Sequence, residues 1–177
     1  MKTIETERLI LTPWTESRED AEGLYAYAKD PDVGPNAGWK PHESIEESAM
    51  IIKEMFIPET TWAIREKETG KIVGSIGLMP DRRREDVNSR EMGYSLAKDC
   101  WGKGYMTEAV NKVVSVCFED LMLNRVEAGV IPTNVASKNV MKKIGFTYIG
   151  TSSSYLKING IWQPHEIYEK INPNRKL

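Results

Sequence analysis

The 177-residue chain predicts a single α/β (α+β) domain spanning residues 1–177, and three observations carry that expectation. Strand-like alternation and helical stripes interleave from end to end, with no internal repeat and no second composition regime. Two pairs of strand-like runs, one early and one late, are each joined by a short turn containing glycine. Between them a strand, a long amphipathic helix and another strand follow in succession. The tally is six to seven strands and about four helices.

ERLILTPW opens with a strand from Glu7 to Thr12. Ala21, Leu24, Tyr25 and Ala28 then keep helical spacing, and the helix stops before Asp30-Pro31 because a proline disfavours a helical neighbour before it. PDVGPNAGWKP is dense in Pro and Gly and reads as loop. Ser44 with Glu47 three residues on forms a capping box, opening a helix with Ile45, Ala49, Ile52 and Phe56 on one face. Thr61 to Glu66 and Lys71 to Leu78 form the first hairpin, turning at Glu68-Thr69-Gly70. A polar loop, Pro80 to Asn88, leads to a strand from Ser89 to Leu96. Met106, Ala109, Val110, Val113, Val114, Cys117 and Phe118 then make one continuous helical stripe. RVEAGVI is a strand and Asn134 to Ile144 a short helix. Thr147 to Tyr155 and Ile161 to Ile171 form the last hairpin, turning near Asn159-Gly160.

Composition narrows the function classes. Apolar residues make up 40% and charged residues 28%, an ordinary globular balance. A net charge of −2 argues against direct nucleic-acid binding, which shows a basic excess. Arg82-Arg83-Arg84 is answered at once by Glu85 and Asp86, as on a solvated loop. No apolar run reaches membrane-spanning length and MKTIETERLI lacks the apolar core of a secretion signal. No membrane partner is therefore expected, and the expected compartment is the cytoplasm. Cys100 and Cys117 make neither a disulfide framework nor a metal set. Cys117 falls on the helical stripe, and Cys100 has neither His42 nor His165 near it in sequence to activate it as a nucleophile.

The stretch WGKGYMTEAV, Trp101 to Val110, places a glycine on each side of Lys103 and runs straight into the amphipathic helix. Glycine there admits positive φ and lets a ligand approach the main chain. The helix N-terminus adds unpaired N–H groups and the positive end of the peptide dipole, which together suit a phosphate or pyrophosphate. A tight turn that needs glycine is the other reading. The G-x-x-x-x-G-K-[ST] spacing is absent and G-x-G-x-x-G fails at Thr107, so neither nucleotide fingerprint is matched. The loop lies between an antiparallel-looking strand block and a strand–helix–strand unit, a topological change of the kind that favours ligands.

EMGYSLAKDCWGKGYMTEAV, followed by RVEAGVIPTNVASKNVMKKIGF, resembles the GCN5-related N-acetyltransferases (GNAT), in particular the branch of ribosomal-protein N-terminal acetyltransferases. TERLIL near the start and NGIWQPHEIYEK near the end also fit. The resemblance implies one GNAT-type domain with a central, mixed, mostly antiparallel twisted sheet whose strands splay at the acetyl-CoA site. It implies acetyl-CoA as co-substrate, no metal, and direct transfer in a ternary complex to an amine acceptor. That acceptor is a protein N-terminal α-amine or a small-molecule amine. The α-amine, with an ordinary pKa of about 8 against about 10.4 for lysine, needs only a modest base. A catalytically inactive CoA-binding sensor or interaction module is the alternative, and the family's habits fit a monomer or a homodimer.

By the same resemblance, main-chain groups of Tyr94, Ser95 and Leu96 contact the pantetheine arm. Main-chain N–H groups of Gly102, Lys103, Gly104, Tyr105, Met106 and Thr107 hold the pyrophosphate, with the Lys103 side chain pointing to solvent or toward the phosphates. Gly93 suits a bulge or relieves a crowded neighbour. Asn134 binds the pantetheine amide, caps the next helix, or does both. The tyrosine acid of most members falls at Met141, whose thioether donates no proton. Ser137, the branch's usual substitute, faces the CoA sulfur or else caps the helix or faces solvent. Trp101 stands where most members have Arg or Gln, and Met106 where many have a small residue. Glu91, on the strand face opposite Met92 and Leu96, is the candidate base, directly or through water; the other reading is an ion pair with Arg90 or Arg125. Pro164 stands where the branch often has an aspartate, which makes Glu166 the candidate acceptor contact. His42 reads as a structural cap or a substrate contact. Trp39, Trp14 and Tyr25 line an acceptor pocket near it, or Trp14 and Tyr25 belong to the core.

Overall fold

The computed structural model describes residues 1–81, 88–158 and 160–175; the polar run 82–87 and Asn159 of the last turn lie outside them. Among the described residues the chain forms an open mixed sheet of eight strands with five α-helices. In chain order these are β1 (Ile4–Glu5), β2 (Leu9–Pro13), α1 (Arg18–Ala28), α2 (Gly34–Ala37), α3 (Ile45–Ile51), β3 (Thr60–Glu66), β4 (Ile72–Pro80), β5 (Ser89–Leu96), α4 (Tyr105–Glu119), β6 (Arg125–Val130), α5 (Val135–Ile144), β7 (Thr147–Ile158) and β8 (Ile161–Ile171). The strand order is β1-β2-β3-β4-β5-β6-β8-β7, with β5 and β6 parallel. No helix among the described residues is long and apolar enough to cross a membrane.

Both counts exceed the sequence expectation, for local reasons. The additional strand, β1, is two residues long, too short to show a period; it exists because Ile4 and Glu5 pair with Leu11 and Ile10 of β2. The additional helix, α2, falls in the Pro- and Gly-dense stretch read as loop. It begins at Gly34, carries a proline in its first turn, where no N–H is needed, and ends at Gly38 with φ +90°.

The chain divides into two compact units, residues 1–78 with 94–109 and residues 79–93 with 110–177. In the first, β1 to β4 form an antiparallel meander, and Gly70 turns the β3–β4 hairpin with φ +72°. Leu9 and Leu11 of β2, Leu24 of α1, Ile52, Ile64 and Ile76 are fully buried there. Trp14 is core, as one sequence reading had it, whereas α1 buries Tyr27 and leaves Tyr25 half-buried. Ser44 accepts the Glu47 N–H at 3.0 Å and so caps α3, while the Glu47 carboxylate reaches back to the N–H of Glu43, one residue before the cap; a π-helical turn, Ile52–Phe56, continues the helix. Asp20, 2% exposed, accepts the Thr15 N–H at 2.7 Å and the Thr15 hydroxyl at 2.8 Å, and pairs with Arg65 of β3.

In the second unit, β5 pairs with β6 over Ser89↔Arg125, Arg90↔Val126 and Glu91↔Glu127, and β6 pairs antiparallel with β8 from Arg125↔Ile171 to Val130↔Glu166. Val110, Val113, Val114 and Cys117 of α4 and Met141 and Ile144 of α5 are buried, as the helical stripes require. β7 pairs with β8 with a register shift between Ser152 and Leu156.

Replacing Asp20 by Ala strips Arg65 of its buried partner and Thr15 of its acceptor. The expected loss is about 3 kcal/mol, read as a lower urea midpoint at unchanged slope.

Candidate active site

In the first unit the glycine loop has the geometry its sequence implies. Gly102 and Gly104 hold φ values of +76° and +82°, and residues 101–104 are exposed. α4 starts at Tyr105, and its first helical bond runs from the Glu108 N–H to the Gly104 carbonyl at 3.1 Å. The N–H groups of Tyr105, Met106 and Thr107 precede that bond and form the donor end of the helix. Met106 turns inward and is 6% exposed, so its bulk joins the core. Trp101 donates its indole N–H to the Leu96 carbonyl at 2.8 Å, tying the loop to the end of β5.

A clamp that the sequence reading did not include holds this loop. Arg8 donates from Nη1 to the Lys103 carbonyl at 2.9 Å and from Nε to Glu108 Oε2 at 2.7 Å. The Arg8 N–H and the Thr6 hydroxyl both donate to Glu108 Oε1, at 2.8 and 2.6 Å. Burial pushes the Glu108 carboxyl up, but the Thr6 hydroxyl and the Arg8 N–H and guanidinium outweigh it and hold the group below its ordinary value. The Tyr105 ring lies 4.7 Å from the Arg8 guanidinium, and its hydroxyl donates to Glu66 at 2.6 Å.

Of the residues read as contacting the pantetheine arm, Ser95 is buried and its hydroxyl bonds Ser75 at 3.0 Å and Tyr27 at 3.3 Å, while Tyr94 and Leu96 are half-buried. Gly74 lets the Ser95 carbonyl approach its main chain, since a Cβ at position 74 would overlap that oxygen.

In the second unit Glu91 is 8% exposed and accepts the Tyr155 hydroxyl. Tyr155 stacks on His165 with ring centroids 4.6 Å apart, and burial lowers the imidazole pKa. Arg125 pairs with Glu127 and Glu169, and Arg90 donates to the Ser89 carbonyl at 2.9 Å. Asn134 caps α5, its Oδ1 accepting the Ser137 N–H at 3.0 Å, and Ser137 is half-buried in the first turn. Glu166 has both oxygens engaged, one by Lys138 at 3.2 Å and one by the Tyr168 hydroxyl at 2.9 Å.

His42 and Trp39 come together in the first unit. His42 is buried, its Nδ1 lies 2.8 Å from the Ser48 hydroxyl, its N–H donates to the Ala28 carbonyl, and burial lowers its pKa. Trp39 packs at 5.0 Å on that ring and against Gly34, which makes the pair a brace between α1, α2 and α3. Burial raises Cys100 to about 11 and Cys117 to about 12, so neither offers a thiolate at neutral pH. The sequence reading also passed over Tyr155; its only local signal was an aromatic residue late in a strand.

Residues 8–147 match the acetyltransferase (GNAT) domain family. The chain is 31% identical over 178 residues to the uncharacterized N-acetyltransferase YoaA of Bacillus subtilis, covering 96% of this chain and 97% of that protein. A stretch of 104 residues is 39% identical to the probable N-acetyltransferase YjcK of Bacillus subtilis, covering 59% of this chain and 57% of that protein. Among solved structures, ribosomal-protein-S5-alanine acetyltransferase from Vibrio fischeri superposes with a TM-score of 0.80 at 26% identity over the full length of both chains. The microcin C7 self-immunity acetyltransferase MccE, solved with acetyl-CoA and AMP, superposes with a TM-score of 0.76 at 22% identity, covering 93% of each chain. The matching family, the N-acetyltransferase relative and the fold together make the chain an acyltransferase. The chain belongs to the GNAT family of N-acetyltransferases.

Glu108 carries a pH signature. Its carboxyl is held below the unfolded value, so its contribution is complete above an unfolded pKa of about 4.3 and is lost as pH falls through the lower folded value. Glu108→Gln is expected to cost about 1–2 kcal/mol at pH 7, Arg8 being partly solvated, with the gap to wild type closing below about pH 4. Urea melts at pH 7 and pH 3 read both numbers.

Proposed function

We propose that the chain transfers the acetyl group of acetyl-CoA to a primary amine, and that the acceptor is a protein N-terminal α-amine. The observation that carries the reading is one continuous stretch. β5 bears Glu91 near its start and Tyr94 to Leu96 at its end, then leads into a loop whose glycines hold positive φ at the mouth of α4. Main-chain donors of residues 102–107 bind the diphosphate, helped by the helix dipole. Main-chain groups of Tyr94 to Leu96 take the pantetheine amides, and Asn134 adds to them while capping α5.

The chemistry follows from what the amine and the thioester require. The attacking nitrogen must shed a proton, and Glu91 receives it, directly or through a water. The departing sulfur must gain one or be stabilised as an anion, and the Ser137 hydroxyl supplies that hydrogen bond. Free Cys100 and Cys117 accord with a cytoplasmic setting. The α-amine is favoured because a single carboxylate suffices for a group that is already partly deprotonated near neutrality. The similarity to the ribosomal-protein-S5-alanine acetyltransferase of Vibrio fischeri supports the same choice.

Incubation with acetyl-CoA and a panel of peptides, polyamines and aminoglycosides, read by thiol release and product mass, tests the acceptor. Thiol release with the peptides first is the expected result; binding of acetyl-CoA without release on any amine marks an inactive sensor. Gly102→Val forces a branched side chain into positive φ and is expected to weaken acetyl-CoA about tenfold in calorimetry. Glu91→Gln is expected to lower kcat about 100-fold while leaving the calorimetric Kd for acetyl-CoA unchanged.

A further inference from the structure

Tyr155 reaches Glu91 from an unexpected distance. It belongs to β7, at the edge of the sheet, while Glu91 lies on β5, with β6 and β8 between them in strand order. Three strand spacings of about 4.8 Å exceed what one side chain spans in a flat sheet. The register of the last hairpin resolves this. Between the pairs Ser152↔His165 and Leu156↔Gln163, β7 advances four residues while β8 advances two, so the segment before Leu156 carries surplus chain. A bulge of that kind bends a strand and re-aims its side chains.

The bend lays the Tyr155 ring over β6 at Gly129. A Cβ on Gly129 would lie 2.6 Å from Tyr155 Cε1 and Cζ, so only glycine accepts the ring there. Gly129 shares a strand face with Glu127, and Glu127 is the ladder partner of Glu91, which puts all three on one side of the sheet. His165 of β8 backs the ring from its other neighbour strand at 4.6 Å and is itself 4% exposed. Bulge, glycine and imidazole thus fix one ring whose hydroxyl donates to Oε1 of Glu91.

We propose that Tyr155 is a positioning residue for Glu91: its hydroxyl holds Oε1, fixing the carboxylate so that Oε2 meets the amine proton. The proposal rests on the reading of Glu91 as the base. It also gives the glycine at position 129 and the surplus residues of β7 a shared purpose, since each is needed to bring a phenol across two strands.

The test compares Tyr155→Phe, Glu91→Gln and the double variant, with Gly129→Ala as an independent way to displace the ring. Tyr155→Phe keeps the ring and removes only the hydroxyl. It is expected to lower kcat about tenfold or more, with KM and calorimetric Kd for acetyl-CoA within about twofold of wild type, and to add nothing in the Glu91→Gln background. Gly129→Ala is expected to reproduce that loss. Wild-type kcat in Tyr155→Phe beside a slow Glu91→Gln overturns this inference and leaves the base reading standing, as do additive losses in the double variant. Wild-type kcat in Glu91→Gln overturns the base reading and this inference with it.

Discussion

The arrangement around the glycine loop depends on the clamp between Arg8 and Glu108. An anion site made of main-chain N–H groups needs its carbonyls turned elsewhere and its local charge kept non-negative. On the proposed reading Arg8 meets both needs, binding the Lys103 carbonyl and neutralising the carboxylate in the first turn of α4. An acidic residue in that turn stabilises a bare helix, but alone it would repel a diphosphate at the same place. Paired with Arg8 it becomes a structural anchor with no net charge, and the donor end of α4 keeps its positive character. The two glycines then need only supply backbone angles that few other residues hold without strain.

A similar economy orders the charges of the second unit. Glu91, Glu127 and Glu169 are neighbours across the β5–β6 and β6–β8 ladders, an arrangement that like charges alone would destabilise. Arg125 sits between Glu127 and Glu169 and compensates them in surroundings where unpaired charge is costly. Glu91 receives a phenol hydroxyl, a donor that orients a carboxylate without adding charge. The division sets carboxylates held by a guanidinium beside one held by a phenol hydroxyl, although all three lie along one line of the sheet.

What the sequence disclosed and what it withheld follow from the range of the forces involved. β5 came out residue for residue, and α4, the α5 cap at Asn134 and the α3 cap at Ser44 were legible, because each rests on periodicity or on contacts within a turn. The glycine angles at 102 and 104 were legible because few residue types serve there. β1 was hidden because two residues carry no period, and Tyr27 was passed over for Tyr25 because adjacent helix positions differ only in which side faces the core. The Arg8–Glu108 clamp joins residues 100 apart, and Tyr155 meets Glu91 across 64. Neither leaves a local mark: an Arg in ERLIL looks like a solvated strand end, and a bulge in β7 looks like a run of serines.

The strand that carries the proposed chemistry also raises a question of backbone accounting. The ladder of β5 with β6 ends at Glu91↔Glu127, while β5 itself continues to Leu96. Every N–H and C=O beyond that point must find a partner in protein, water or ligand. On the other side, the Ala97 N–H donates to the Val73 carbonyl at 2.7 Å, and Gly74 admits the Ser95 carbonyl, so β4 follows β5 to its end. Leu96 gives its carbonyl to Trp101. A chain of alternating amides such as pantetheine can pair with a strand much as another strand does. On the proposed reading, β5 carries both the base and the main-chain groups that take the pantetheine arm, with Glu91 in its ladder to β6 and Tyr94 to Leu96 at its end, so one strand sets the distance between them.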